Sequence, residues 1–234
     1  MGTGVKGVVD CTTVLTFVLT LVVFFGHVVS FATKNWLESI PGHSEFIKLG
    51  VHEICFEGFR HPRGDFDQRY LGCHGYFDDS YLQIRIWLLP GWFVNVRTLV
   101  FTNVGVSIVC FFLGAIVLVN MLMTRCTKGK CSEACLQITL FLTASLMLAA
   151  GIINLIAVTR FYSNSYDREW LPRPEVNRFG YSFWLAVVVT AAGLLGFVTS
   201  LLAGILSILS GSEPRKPMKT SRSRSSDDVI LSRR

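Results

Sequence analysis

The residues that could do chemistry lie mostly in one polar segment, residues 32–98. This segment holds histidines, aspartates and cysteines, the residue types that bind metals or transfer protons. No H-E-x-x-H, G-x-S-x-G or P-loop pattern orders them, so their spacing indicates solvated surface residues. We therefore predict no metal, no cofactor and no catalytic residue, and a protein that is not an enzyme. The residues considered are His43, His52, His61, His74, Asp65, Asp67, Asp78 and Asp79.

Two cysteines of this segment are candidates for a disulfide bond. Cys55 and Cys73 are the cysteines that it contains, and disulfides persist where such a segment faces an oxidising extracellular space. A bridge between them would stabilise a small domain by about 3 kcal/mol in the loop-entropy model. Two free thiols are the alternative.

Three further cysteines, Cys126, Cys131 and Cys135, surround a basic segment between two apolar runs. Juxtamembrane cysteines are frequent sites of S-palmitoylation, and unmodified thiols are the alternative. Zinc is disfavoured because this segment offers three cysteines, no histidine and no C-x₂-C spacing. Cys11 and Cys110 are interpreted as small apolar residues.

Four long apolar runs dominate the rest of the chain. Each has the length of roughly 20 residues that is needed to cross a bilayer, and none contains Asp, Glu, Lys or Arg. A charge at the centre of a span costs about 3 kcal/mol, so uncharged runs of this length indicate transmembrane helices. The predicted spans are Val14–Phe31, Leu99–Met123, Leu136–Val158 and Tyr181–Leu209.

The basic residues indicate how these spans are oriented. Lys and Arg are in excess in residues 124–135 and in the tail, residues 210–234, whereas residues 32–98 and 159–180 are nearly balanced. Because cytosolic segments retain the positive excess, we predict that residues 1–13, 124–135 and 210–234 are cytosolic. The formal net charge of +6 then faces anionic lipid, and nucleic acid is not an expected partner.

A cleaved signal peptide is the alternative for the first run. Lys6 would be its charged start, and Ser30-Phe31-Ala32 would be its cleavage site. Cleavage would leave three spans with the same loop orientations, so the charge distribution fits both topologies. The length of the run favours a span, because the apolar region of a signal peptide usually has about 7–15 residues.

The polar segments differ in the structure that we expect of them. Alternating apolar residues in Glu45–Phe59 and Arg69–Phe77 predict short strands of a small antiparallel sheet. The segment 159–180 contains Pro172 and Pro174 and should contribute one edge strand at most. The tail is rich in Ser, Arg, Lys and Pro, and we predict that it is disordered.

Small and polar residues indicate how the spans pack. Small residues let helix backbones approach closely in lipid, and asparagines can add hydrogen bonds between helices. We expect these asparagines to stabilise the bundle, because a transport pathway would call for charges within the spans. His27 is the ionisable residue that could face the bundle interior. The small residues are Ala191, Ala192, Gly193, Gly196, Ala203 and Gly204, and the asparagines are Asn103, Asn120 and Asn154.

Taken in order, the polar residues resemble the signature of the claudin family. Trp36, the block Gly50–Cys55, Cys73 and Arg97 correspond to its Trp, G-L-W-x-x-C block, second Cys and Arg. The four spans, the long first loop, the short second loop and the basic tail also match. Epithelial membrane proteins, peripheral myelin protein and calcium-channel γ subunits share this plan. His52 stands where the signature has its second Trp, the gap between the two cysteines is longer than in vertebrate claudins, and the segment 77–93 looks most like invertebrate septate-junction proteins.

The resemblance implies an all-α four-helix transmembrane bundle, left-handed, with a small extracellular antiparallel β-sheet. It implies cell adhesion and a paracellular barrier at lateral junctions of the plasma membrane. The expected partners are the bilayer, like or related claudin-type molecules in cis and trans, and junctional proteins. An auxiliary subunit of an ion channel or receptor is the alternative. The ending Leu231-Ser232-Arg233-Arg234 lacks the hydrophobic residue that a PDZ groove takes, which argues against that mode of binding.

The same resemblance assigns roles to individual residues. Trp36, Cys55 and Cys73 would hold the sheet. Exposed charges between the cysteines would bias which ions pass between cells. These candidate selectivity charges are Glu57, Arg60, Arg63, Asp65 and Asp67.

Overall fold

A computed structural model describes residues 2–61, 68–127, 130–171 and 173–211, with the backbone alone at residues 2–5, 126, 127, 130–132 and 211. Long helices and a small sheet make up this part of the chain. In chain order the elements are α1 (Gly2–Ala32), β1 (Leu37–Ser39), β2 (Phe46–Leu49), β3 (Glu53–Phe59), β4 (Tyr70–Gly75), a 3-10 turn (Asp79–Tyr81), α2 (Arg85–Leu88), α3 (Gly91–Thr127), α4 (Lys130–Asn164), a second 3-10 turn (Pro174–Val176), β5 (Asn177–Phe179) and α5 (Tyr181–Gly211).

The four long helices form one bundle. Each contains a segment that is long and apolar enough to cross a membrane, which agrees with the four predicted spans. Helix α1 packs between α3 and α5, and α4 packs between the same two helices on the other side. Large apolar side chains such as Phe25, Phe112 and Leu195 point outwards, as expected for helices solvated by lipid.

The helices extend beyond the predicted apolar spans: α1 begins at Gly2 and not at Val14, and two other helices extend towards the sheet. Helix α3 begins at Gly91 and not at Leu99, and α4 continues past Val158 to Asn164. Hydropathy falls at charged residues such as Arg97, but one face of each extension stays buried beneath the sheet. Phe93 on α3 and Phe161 on α4 are fully buried there, so packing against the sheet extends both helices.

The sheet has five antiparallel strands in the order β4-β3-β2-β1-β5 and caps one end of the bundle, which we call the sheet end. Strands β2 to β4 lie within the segments that the alternation predicts. The short second loop contributes β5, which pairs with β1 at the sheet edge, as Leu37 opposite Phe179 shows. One edge strand is what the prolines of this loop led us to expect.

A bulge keeps the inner face of β3 apolar. Ile54 and Phe56 alternate towards the bundle, and strict alternation would place Gly58 next. Gly58 instead adopts a φ of +74° where the register between β3 and β4 shifts. The extra residue turns Phe59 back to the inner face, where its ring stacks on Phe56 with centroids 4.6 Å apart.

Small residues bring α4 and α5 together. Gly193 lies so close to Gly151 that a Cβ added to Gly193 would meet the Gly151 Cα at 3.4 Å. A Cβ at Gly196 would meet the Met147 side chain at 2.1 Å. The other small residues predicted for this span are also buried, except for Ala191, which is exposed. The backbones of α4 and α5 therefore approach closely at small residues, as the sequence predicts.

Polar side chains join helices inside the bundle. Asn154 Nδ2 donates to the Ala186 carbonyl at 2.8 Å and to Thr190 Oγ1 at 2.9 Å, which ties α4 to α5. Asn103 Nδ2 lies 3.0 Å from His27 Nε2 and joins α3 to α1. Both asparagines are buried, and so is His27, which faces the bundle interior. These hydrogen bonds join helices within the protein, and His27 Nδ1 and Asn103 Oδ1 are buried without a hydrogen-bond partner among the described residues.

Candidate functional site

Trp36 lies between the sheet and the bundle. Its side chain is fully buried, and its ring packs edge-on against Phe161 of α4 at 5.1 Å and Phe183 of α5 at 6.1 Å. Its indole Nε1 donates to the Ser30 carbonyl in the last turn of α1 at 2.8 Å. One side chain therefore joins the start of the sheet to three helices.

Two glycines let the backbone of the first loop pass close to its neighbours. A Cβ at Gly50 would lie 2.6 Å from the Lys34 Cα and 2.8 Å from the Thr33 carbonyl oxygen. A Cβ at Gly180, just before α5, would lie 2.1 Å from the Asn35 carbonyl oxygen. No side chain fits at either position. Both glycines therefore allow the backbone of residues 33–35, which follows α1, to pass close to them.

Cys55 and Cys73 form a disulfide bond across neighbouring strands. They stand directly opposite each other in the register of β3 and β4. Cys55 is fully buried, whereas Cys73 is exposed, so the bridge runs from the interior of the sheet to its edge strand. The bond fastens the edge strand β4 to β3.

Arg97 lies on α3, beneath the turn between β2 and β3. Its Nε donates to the Val51 carbonyl at 2.6 Å, and its guanidinium carbon lies 4.7 Å from the centroid of the Tyr76 ring. Tyr76 is fully buried and donates its hydroxyl to the Gly50 carbonyl at 2.8 Å. Burial raises the pKa of the Tyr76 phenol, so this hydroxyl stays protonated and remains a donor. Arg97 thus contacts Tyr76, which in turn holds the Gly50 carbonyl by its hydrogen bond.

Tryptophans tie the second loop to the segment that precedes α3. Trp87 Nε1 donates to the Glu169 carbonyl at 3.0 Å, and Trp170 Nε1 donates to the Leu88 carbonyl at 3.3 Å. Trp170 also packs against Trp92 with ring centroids 4.5 Å apart. The two loops therefore form one body at the sheet end.

A charged groove lies where the two loops meet. It has a volume of about 490 Å³, and its charged and ionisable lining residues are His43, Glu45, Glu57, Arg60 and Arg173. Arg173 Nη1 donates to the His43 carbonyl at 2.7 Å, and the Arg60 backbone N–H donates to Glu45 Oε2 at 3.2 Å. Two candidate selectivity charges, Glu57 and Arg60, are exposed and line this groove. The contribution of Glu45 and Arg173 was not predicted, because they are distant in sequence from each other and lack a motif.

The remaining candidates fall into two groups. Arg63, Asp65 and Asp67 lie outside the described residues. Of the cysteines proposed for acylation, Cys135 is exposed near the start of α4 and accepts a hydrogen bond from Asn120 Nδ2 at 3.5 Å. The side chains of Cys126 and Cys131 lie outside the described part of the chain.

The chain matches the model of one known protein family. The family is described as PMP-22/EMP/MP20/Claudin tight junction, and the match covers residues 15–209. This range covers most of the first and last spans, the whole of the other two and both loops of the sheet end. A search of curated proteins finds no match.

Proposed function

Because the chain belongs to the PMP-22/EMP/MP20/Claudin family, we propose that it contributes to cell–cell adhesion and to the paracellular barrier of epithelia. Its role is structural and not catalytic on this proposal. The observation that carries the proposal is the rigid platform at the sheet end, where both loops are joined by β1–β5 pairing and by tryptophan hydrogen bonds. Such a platform presents a pre-organised surface to a molecule on the opposing cell.

The charged groove is the surface that we assign to the intercellular space. Glu45, Glu57, Arg60 and Arg173 face it, and residues of both signs can recognise a like molecule in cis or in trans. The left-handed conformation of Arg173, with a φ of +50°, supports a specific role, because such a backbone costs about 1 kcal/mol outside glycine. Fixed charges in this region would also bias the passage of ions.

Localisation in a polarised epithelium tests this function. A tagged chain should concentrate at lateral contacts and should change transepithelial resistance and tracer flux. The matched control is Cys11→Ser on α1, which leaves the sheet end unchanged and should behave like the wild type. A uniform surface distribution with unchanged flux would contradict the junctional role. An auxiliary subunit would instead follow a channel to the surface and alter its current.

We also propose that both termini are cytosolic. The ion pair of Asp10 on α1 with Arg125 on α3 joins the ends of the bundle opposite the sheet, next to the basic segments. Tags at either terminus should bind antibody only after the cells are permeabilised. Loss of an amino-terminal tag from the mature chain would instead support a cleaved signal peptide.

S-palmitoylation of Cys126, Cys131 or Cys135 is a further part of the proposal. The exposure of Cys135 near the start of α4 supports it, because an acylating enzyme needs access to the thiol. Thioester capture after hydroxylamine treatment should recover the wild type and fail for the triple serine variant. Equal recovery of both proteins would exclude these cysteines.

A further inference from the structure

A cleft opens at the sheet end between the last turn of α1 and the first turns of α3. Its volume is about 290 Å³, and its walls are largely apolar. Phe31 on α1, Val94 and Phe101 on α3 and His52 in the turn between β2 and β3 line it. Val94 is 41% exposed and Phe101 is 68% exposed. Because these helices cross the bilayer, the open side of the cleft faces lipid.

One charge stands in this apolar cleft. Arg97 is half-buried, with its Nε on the Val51 carbonyl and its guanidinium carbon 5.1 Å from the centroid of the Phe77 ring. Among the described residues, no carboxylate lies within 4.0 Å of it, and none accepts a hydrogen bond from Nη1 or Nη2. A partly desolvated cation with open donors favours an anion, and a guanidinium matches the geometry of phosphate.

The depth of the charge indicates which anion fits. Arg97 lies about 9 Å along α3 from its first residue, Gly91, at about 1.5 Å per residue. Phe101 lies about one turn further towards the centre of the bilayer. A lipid presents its phosphate above and its acyl chains below, in the same order as Arg97 and Phe101. A small soluble anion would leave the apolar wall uncovered.

We propose that the cleft binds one glycerophospholipid from the leaflet at the sheet end. Its phosphate accepts hydrogen bonds from Arg97 Nη1 and Nη2, and one acyl chain lies against Phe31 and Phe101, whose ring centroids are 6.1 Å apart. The lipid thereby pairs the charge that supports the turn between β2 and β3. Bound lipid would couple the sheet to the membrane surface.

His52 accounts for the space in this cleft. Its Nδ1 donates to the Phe31 carbonyl at 3.0 Å, and its ring centroid lies 5.7 Å from that of Phe31. The claudin signature has Trp at this position, and an indole has a larger ring system than an imidazole. His52→Trp should therefore fill part of the cleft and reduce lipid binding.

Native mass spectrometry of the full chain, delipidated in detergent, tests the proposal. Dioleoylphosphatidylcholine should bind with one molecule per chain, and dioleoylglycerol, which has the same acyl chains without the phosphate, should bind at least about tenfold more weakly. Arg97→Gln should weaken phosphatidylcholine binding by about tenfold. Phe101→Ala should weaken it by about threefold, because it removes part of the apolar wall.

Matched controls distinguish this site from general lipid contact. Phe112 is 60% exposed on the same helix but does not line the cleft, so Phe112→Ala should bind like the wild type. The comparison uses only variants that unfold at the same temperature as the wild type. If Arg97→Gln does not fold, the test rests on Phe101→Ala and His52→Trp.

Three results would overturn the proposal. The first is equal retention of phosphatidylcholine by the wild type, Phe101→Ala and His52→Trp. The second is binding of dioleoylglycerol as tight as that of phosphatidylcholine. The third is equally effective competition by glycerophosphocholine, which has no acyl chains, because the apolar wall would then be unused.

Discussion

The Trp36 indole Nε1 donates a 2.8 Å hydrogen bond to the Ser30 carbonyl, which links the residue before β1 to the last turn of α1. Trp36→Phe keeps an aromatic ring but leaves this buried carbonyl without its indole donor. We expect a loss of about 1–3 kcal/mol in the free energy of unfolding. Trp36→Ala should cost about 3–5 kcal/mol, because it also leaves a cavity.

Unfolding of the detergent-solubilised protein measures both losses. Trp184→Phe is the control, since Trp184 is exposed on the outside of α5 and its replacement should change stability by less than about 0.5 kcal/mol. If Trp36→Phe were as stable as this control, the bond to Ser30 would contribute nothing.

Gly50→Ala should destabilise the protein by about 1–3 kcal/mol, because the new methyl group would overlap the backbone of Thr33 and Lys34. The control is Gly105→Ala on α3, where nothing lies within 4 Å of an added Cβ and where Ala favours the helix. Thermal unfolding of the two variants in the same detergent provides the comparison. Equal unfolding temperatures would mean that the segment after α1 can move away from Gly50.

Replacing Cys55 or Cys73 by Ser should remove about 3 kcal/mol of stability and reduce delivery to the cell surface. Without the bond the unfolded chain is less restrained, which favours unfolding. The folded protein also loses the covalent link that holds β4 at the edge of the sheet. Surface biotinylation measures delivery, with Cys11→Ser on α1 as the control. Normal delivery of both sheet variants would show that the sheet folds without the bridge.

Asn154→Ala removes the two hydrogen bonds that join α4 to α5 inside the bundle. We expect a loss of about 1–2 kcal/mol, the range found for hydrogen bonds between helices in lipid. Asn120→Ala is the matched control, because Asn120 makes one long bond to a sulfur atom. Unfolding by denaturing detergent measures the difference, and equal stability of the two variants would contradict a structural role for Asn154.

Reversal of Asp65 and Asp67 to Lys should shift the ion selectivity of an epithelial layer towards anions, by about twofold or more in relative permeability. The reason is that fixed charges beside a narrow aqueous path are weakly screened. Dilution potentials measure the shift at equal junctional expression. The same reversal at Asp227 and Asp228 in the tail is the control. Unchanged potentials for the loop variant would remove these residues from the path and leave the adhesion proposal intact.

Much of the architecture follows from local sequence patterns. The four spans are predictable because hydrophobic length must match the bilayer, whatever the neighbouring helices do. Strands β2 to β4 follow from alternation, and the limit of one edge strand in the second loop follows from Pro172 and Pro174. The pair Cys55 and Cys73 is predictable because these are the cysteines of the polar segment 32–98.

Other features were decided by contacts between residues far apart in the chain. Hydropathy predicts that the second span begins at Leu99, yet α3 begins at Gly91, because burial of Phe93 beneath the sheet stabilises the extra turns. The meeting of His43 with Arg173 in the charged groove and of Arg97 with Val51 in the lipid cleft likewise required the folded chain. Composition and periodicity are properties of residues that are close along the chain. The sequence by itself therefore determined the spans and the strands, which are local features. The tertiary packing alone decided which charges and apolar walls share a surface, because those distances depend on how the sheet sits on the bundle.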